Sequence, residues 1–366
     1  MNPTQQQEAV ALLRRLMDID STTYAEGAVG TYLADALRAR NFAVELMPVP
    51  QPEGSSSTAE RFNVYAAAQP GAPLVTFSTH MDTVPPWIAS SEDEEFVYGR
   101  GACDAKGIIV AMILAAEQLR AKSLPVALLF VVGEERDSAG AKIANEQPRG
   151  SRFLINGEPT DNRLALASKG ALRASVTATG KMAHSAYPEL GESAIHKLVQ
   201  ALDAVLQVAL PVSEDVGPST LNIGLLEGGR APNVIADEAS AQVLVRLVGP
   251  SEQTRAELKA AAAPFAEVDF TLEIPFVRLK AMEGLPTMIA AFTTDVPALT
   301  NWGEPMLLGP GSIHVAHTTG ERIRKQEMWD AVELYVQVAE RLAASVPGEQ
   351  TVEQSDAGVA GPGPGA

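Results

Sequence analysis

Apolar residues recur at three- and four-residue spacing over Gln5–Met17 and again over roughly Gly27–Arg40, the period of a helix with one buried face. Short runs rich in strand formers follow, at Phe42–Met47, Phe62–Ala67 and Leu74–Thr79. The last is apolar enough to predict a strand covered on both faces. A long helix is expected from about Ala105 to Arg120, then a strand Val126–Val132, a short helix Ala139–Asn145 and a strand Phe153–Asn156. Strands alternating with helices in this way indicate a doubly wound α/β sheet.

Near Ser168 the pattern changes. Ala171–Thr179, Asn222–Leu226 and Ala241–Val248 read as half-buried antiparallel strands flanking a helix Ser193–Leu206, so an inserted domain is expected. The α/β pattern resumes near Leu285, with a strand Met306–Leu308 and a closing amphipathic helix Lys325–Ala343. The expected division is 1–168 and 281–346 for a catalytic domain in two segments, and 169–280 for the insertion. Residues 347–366, ending Gly-Pro-Gly-Pro-Gly-Ala, have no periodicity and are expected to be a disordered tail.

Charge narrows the function classes. The chain carries 45 acidic against 28 basic side chains, a formal charge of −17 with no local basic patch, which disfavours nucleic acid and anionic membranes as partners. A single cysteine, Cys103, cannot form an intrachain disulfide and fits a reducing compartment. The opening Met1-Asn2-Pro3-Thr4 lacks the basic-then-apolar pattern of a signal peptide, and no apolar run reaches the ~18 residues of a membrane span. A cytoplasmic enzyme is the expectation.

In open α/β sheets ligands collect at the carboxyl ends of the strands. Four expected strands end there in residues suited to metals: Ser78-Thr79-His80-Met81-Asp82, Gly133-Glu134-Glu135, Asn156-Gly157-Glu158-Pro159, and Gly309-Pro310-Gly311 leading to His314 and His317. A fifth segment, Gly99-Arg100-Gly101-Ala102-Cys103-Asp104, stands just before the long helix. Together His80, Asp104, Glu135, Glu158 and His317 offer two imidazoles and three carboxylates, a donor mixture suited to Zn, Co or Mn and numerous enough for two ions. Asp82, two residues after His80, could accept the second imidazole proton and fix its tautomer. Adjacent glutamates seldom face the same way. If Glu135 binds metal, Glu134 could act as general base on a water made acidic by the metals. His314 reads as a loop or packing histidine, and Cys103 as a small buried residue.

These motifs resemble the dinuclear zinc family of acetylornithine deacetylase, succinyl-diaminopimelate desuccinylase, aminoacylase and glutamate-releasing carboxypeptidases. The resemblance implies a three-layer hydrolase-like catalytic domain with a mixed, mostly parallel sheet, and an inserted α+β, ferredoxin-like lid and dimerisation domain. It implies two divalent ions per subunit, with Asp104 bridging, His80 and Glu158 completing one position, and Glu135 and His317 the other. It also implies Glu134 as base and a cis peptide at Asp104-Ala105. In the lid, Gly180-Lys181-Met182-Ala183-His184 resembles the segment whose histidine reaches the partner subunit's site in a homodimer, which would make His184 an oxyanion donor. Asn233 and Arg246 match positions that hold substrate carbonyl and carboxylate, and Thr294, in Thr293-Thr294-Asp295, matches a polar loop lining the pocket. Lys169-Gly170 marks the hinge. Cys103 stands where relatives more often carry Ser, and Glu158-Pro159-Thr160 leans toward the deacylases. The expected activity is hydrolysis of an N-acyl amino acid, the alternatives being a metallo-dipeptidase or carboxypeptidase acting on short peptides, or a non-catalytic member.

Overall fold

The computed structural model describes residues 1–54 and 59–346. The segment 347–366, expected to be a tail, lies outside the described residues.

A nine-stranded mixed sheet organises the larger part of the chain. At its centre Val126–Val131, Val75–His80, Phe153–Asn156 and Glu304–Leu307 lie side by side and parallel. Antiparallel strands extend both edges: Phe62–Ala67 and Ala43–Pro48 on one side, Leu164–Ser168 on the other. The run Val126–Val131 shows why so apolar a segment is a strand here. Val126, Leu128 and Phe130 enter one core, beneath the helices Pro3–Met17, Gly27–Ala39, Gly107–Ala121 and Lys325–Ser345. Ala127, Leu129 and Val131 enter the opposite core with Ala141, Ala144 and Trp302. Both faces are covered, so a period-two chain needs apolar residues at every position. The result is the three-layer arrangement expected.

A second, four-stranded antiparallel sheet occupies the insertion, in the order Thr220–Gly228, Glu238–Leu247, Gly170–Thr179, Glu267–Ile274. The helices Ala194–Leu206 and Glu252–Ala262 interleave with these strands in the chain as β-α-β-β-α-β, the ferredoxin-like connection. Leu172, Ala174, Val176 and Ala178 alternate inward opposite Ala239, Ala241, Val243 and Val245, and meet Leu198, Leu202 and Leu258 from the helices. This core is separate from those of the large sheet.

Several elements depart from the sequence expectation. The helix placed from Ala105 begins at Gly107, because Asp104 and Ala105 hold non-helical backbone angles and are joined by a cis peptide. Helix Glu252–Ala262 and strands Leu164–Ser168 and Glu267–Ile274 add to the expected elements, the last of them alternating apolar and polar residues along its length. In Glu267–Ile274 polar residues such as Glu267, Asp269 and Glu273 take the exposed positions and Val268 the buried one, the alternation of a half-buried strand. Among the described residues no helix is long and apolar enough to cross a membrane.

Candidate active site

The four central parallel strands deliver the site. His80 is the last residue of its strand, Glu158 stands two residues beyond Phe153–Asn156, Glu135 follows Val126–Val131, and the His317 loop follows Glu304–Leu307. Asp104 comes from the turn before helix Gly107–Ala121. Because all four strands point the same way, their carboxyl ends converge.

His80, Asp104 and Glu158 each bring a donor atom within 4.8 Å of the others, and so do Asp104, Glu135 and His317. Asp104 belongs to both groups. His80 Nε2 lies 2.9 Å from one oxygen of Asp104, and His317 Nε2 lies 3.3 Å from the other and 3.0 Å from Glu135. His80, Asp104 and Glu158 are buried, while the His317 side chain remains 49% exposed on its loop.

Electrostatics describe the same centre. Burial raises the Glu134 and Glu158 carboxyls well above the usual range, and neighbouring carboxylates push in the same direction. Burial opposes charge on His80, but its hydrogen bonds to Asp104 and Asp82 outweigh it and raise the imidazole well above normal. Hydrogen bonds to Asp104 and Glu135 lift His317 to about 10. Glu158 Oε1 is buried and finds no donor among the described residues. Two buried carboxylates, a partly buried third and two imidazoles, with an orphaned carboxylate oxygen among them, form a donor set that a pair of divalent cations would neutralise.

Asp82 does more than orient His80. His80 Nδ1 meets the main-chain carbonyl of Asp82 at 2.9 Å, whereas the Asp82 carboxylate stands 3.6 Å away. The backbone carbonyl takes the hydrogen bond, with the carboxylate beside the ring at ion-pair distance. The carboxylate also accepts the N–H groups of Glu134 and Glu135 at 3.1 and 3.2 Å and the Thr23 hydroxyl at 2.8 Å. One aspartate therefore fixes the turn that carries both glutamates. Gly133 opens that turn at φ +81, and a Cβ there would stand 2.5 Å from Arg61, so only glycine fits.

Thr294 is buried and its hydroxyl accepts the Val296 N–H at 3.3 Å, a local cap of its own turn. The adjacent Asp295 carboxylate feels the charges of His80 and Asp82. It is buried without a hydrogen-bond partner among the described residues, and burial raises it to about 7. Thr23 and the buried Arg61–Glu26 pair were missed altogether; they sit in the first hundred residues without any motif to mark them.

The lid residues lie elsewhere. His184 and Asn233 are exposed, and their segments are joined by a bridge between His184 and Val234 and by the Ser185 N–H donating to the Asn233 carbonyl at 3.0 Å. Arg246 stands half-buried on the sheet face opposite the lid helices, and no carboxylate among the described residues pairs with it. No hydrogen bond or ion pair among the described residues joins these three to the metal-ligand cluster.

Residues 166–269 match the family model of the peptidase dimerisation domain. The chain is 36% identical to a probable carboxypeptidase of Paracoccidioides brasiliensis over 89% of its own length and 83% of the relative's. It is 34% identical to a peptidase M20 domain-containing protein of Schizosaccharomyces pombe, covering 89% and 82%. The fold superposes on a tripeptidase from Staphylococcus aureus with a TM-score of 0.77 at 21% identity, covering 93% of this chain and 99% of that one. Human carnosine dipeptidase 1 gives 0.74 at 15%, covering 93% and 97%. The chain belongs to the M20 family of dinuclear metallopeptidases. It is a metal-dependent hydrolase acting on peptides or related linear amides.

Proposed function

We propose that this chain is a dinuclear zinc carboxypeptidase or dipeptidase that cleaves the bond next to a free C-terminal carboxylate. The observation that carries the reading is the pair of ligand triads sharing Asp104 at the mouth of four parallel strands. The names of the related probable carboxypeptidases favour a peptide over the N-acyl amino acid that the Glu158-Pro159-Thr160 motif suggested.

His80, Asp104 and Glu158 would hold one ion, and Asp104, Glu135 and His317 the other. Bound divalent ions supply Lewis acidity toward the scissile carbonyl and make water a usable nucleophile near neutral pH. Glu134 takes the proton of the attacking water and delivers it to the departing amine. Standing next to Glu135 in a turn held by Asp82, it is placed beside the ligand set, where a general base must stand to meet the attacking water. Asp82 and Thr23 keep the Glu134 backbone in place. Arg246, without a carboxylate of its own, clamps that of the substrate. Asn233 and His184, on the lid tip, contact the scissile carbonyl, His184 in the site of a second copy.

A homodimer is supported by the lid surface. Leu225 and Leu226 are 63% and 57% exposed on the edge strand Thr220–Gly228, beside exposed Val199 and Leu206 of the lid helix. Large apolar side chains on an open strand edge invite a partner. The acidic charge and the lone buried cysteine support a cytoplasmic location.

The test is elemental analysis together with a substrate panel of free peptides, C-terminally amidated peptides and N-acetyl amino acids, each with and without a chelator. About two ions per chain and chelator-sensitive cleavage of free peptides, with amidated peptides turned over far more slowly and N-acetyl amino acids not at all, is the expected result. Turnover of the acetylated amino acids in preference to peptides returns the deacylase reading. Activity that survives complete metal removal sinks both.

A further inference from the structure

We propose that the buried ion pair Arg100–Glu321 is a clamp that sets the distance between Asp104 and His317, and thereby creates the metal position shared by Asp104, Glu135 and His317. The inference rests on the metal-centre reading above. Arg100 stands just upstream of Asp104, and Glu321 just downstream of His317. Their contact crosses over. Arg100 donates to the Glu321 carboxylate and, at 3.4 Å, to the main-chain carbonyl of Thr318, the neighbour of His317. The Glu321 carboxylate in turn lies 3.9 Å from Sγ of Cys103, the neighbour of Asp104. Backbone pairing anchors both: the Gly99 N–H donates to the Glu321 carbonyl at 3.0 Å, and strand Phe96–Tyr98 runs antiparallel to Arg322–Arg324.

The need for a clamp follows from where the ligands come from. His80 ends a strand in which every residue is buried, and Glu158 follows another such strand closely. His317 stands far along the chain from the end of its strand. It stands on the loop after Glu304–Leu307, half exposed, with its backbone at φ +62. The two charges of the clamp are 2% and 0% exposed. A buried ion pair is weak support for stability, because two charges must leave water to form it, and apolar residues of similar volume often serve the fold as well. A fixed geometry between two ligands that come from distant segments of the chain is what apolar residues would not supply.

The experiment uses the full-length chain and the zinc ion itself. The double variant Arg100→Met/Glu321→Leu removes both charges together, so neither is left buried alone. Zinc stoichiometry and stepwise affinity are measured by competition with a chromogenic chelator, and the melting temperature is measured in the metal-free state. The expected result is an unchanged first affinity, a second affinity weakened by roughly 10- to 100-fold as for other groups that orient metal ligands, and little change in metal-free melting. Glu321→Gln, which keeps the shape and loses the charge, provides the same reading should the double variant fail to fold. Equal weakening of both ions overturns the proposal, as does a lowered melting temperature with both affinities intact. A wild-type chain that binds fewer than two zinc ions overturns the metal-centre reading instead, which separates the two failures.

Discussion

The mouth of the large sheet and the tip of the lid place polar residues by opposite means. At the mouth, His80, Glu135, Glu158 and Asp104 leave the ends of strands or the start of a helix whose other residues are packed on both faces, and their side chains already touch one another. At the lid tip, His184 and Asn233 sit on exposed loops with few partners. The difference shows that the donor set is organised within one chain; on the proposed reading, the lid residues reach substrate only when the lid meets substrate or a second copy. Chemistry and recognition would then be divided between two cores that pack independently.

That division can be broken in order of expected effect. Glu134→Ala should lower kcat by roughly 10²- to 10⁴-fold, the range for loss of a general base, while elemental analysis still finds wild-type metal; loss of metal in this variant would move Glu134 into the ligand set. His184→Ala should lower kcat by about 10²-fold, as for an oxyanion donor. Mixing it with Glu134→Ala should restore activity through dimers that pair one intact lid tip with one intact base, and a mixture no more active than its components confines His184 to its own subunit. Arg246→Ala should raise KM for free peptides by roughly tenfold or more, the worth of a hydrogen bond to a charged group, and leave C-terminally amidated peptides unaffected. An equal loss on both substrates removes the carboxylate clamp. Thr23→Val should have the smallest effect, under about tenfold in kcat for one neutral donor to Asp82, with metal content unchanged. A larger drop would show that the Asp82 carboxylate depends on Thr23 to hold the Glu134 turn.

Much of the donor set was legible because its strand-end members terminate runs of apolar residues. Ser78-Thr79-His80 after Val75 and Phe77, or Gly157-Glu158 after Leu154 and Ile155, mark a polar group at the end of a buried strand. The insertion was visible as a shift from continuous apolar runs to strict alternation, as in Gly170–Thr179. Partners in the supporting shell were not. Asp82 stands where a histidine partner was expected, yet its carboxylate serves the Glu134 turn, which depends on how the strand bends after His80. Arg100 was in view inside a glycine motif without a role, and Glu321 had no motif at all, because what joins them is a strand pair that brings distant segments together.

The linear order of apolar and polar residues determined the two sheets, the division into two kinds of core and the identity of the groups offered at the strand ends, since these follow from period and covalent sequence. Only the tertiary structure decided which oxygen faces which nitrogen: that Asp104 stands between His80 and His317, that Thr294 turns to its own backbone while Asp295 is buried beside the cluster, and that the lid residues remain apart from it. Such choices are settled by loops and turns closing over long stretches of chain, where no repeating pattern records which segment will be the neighbour.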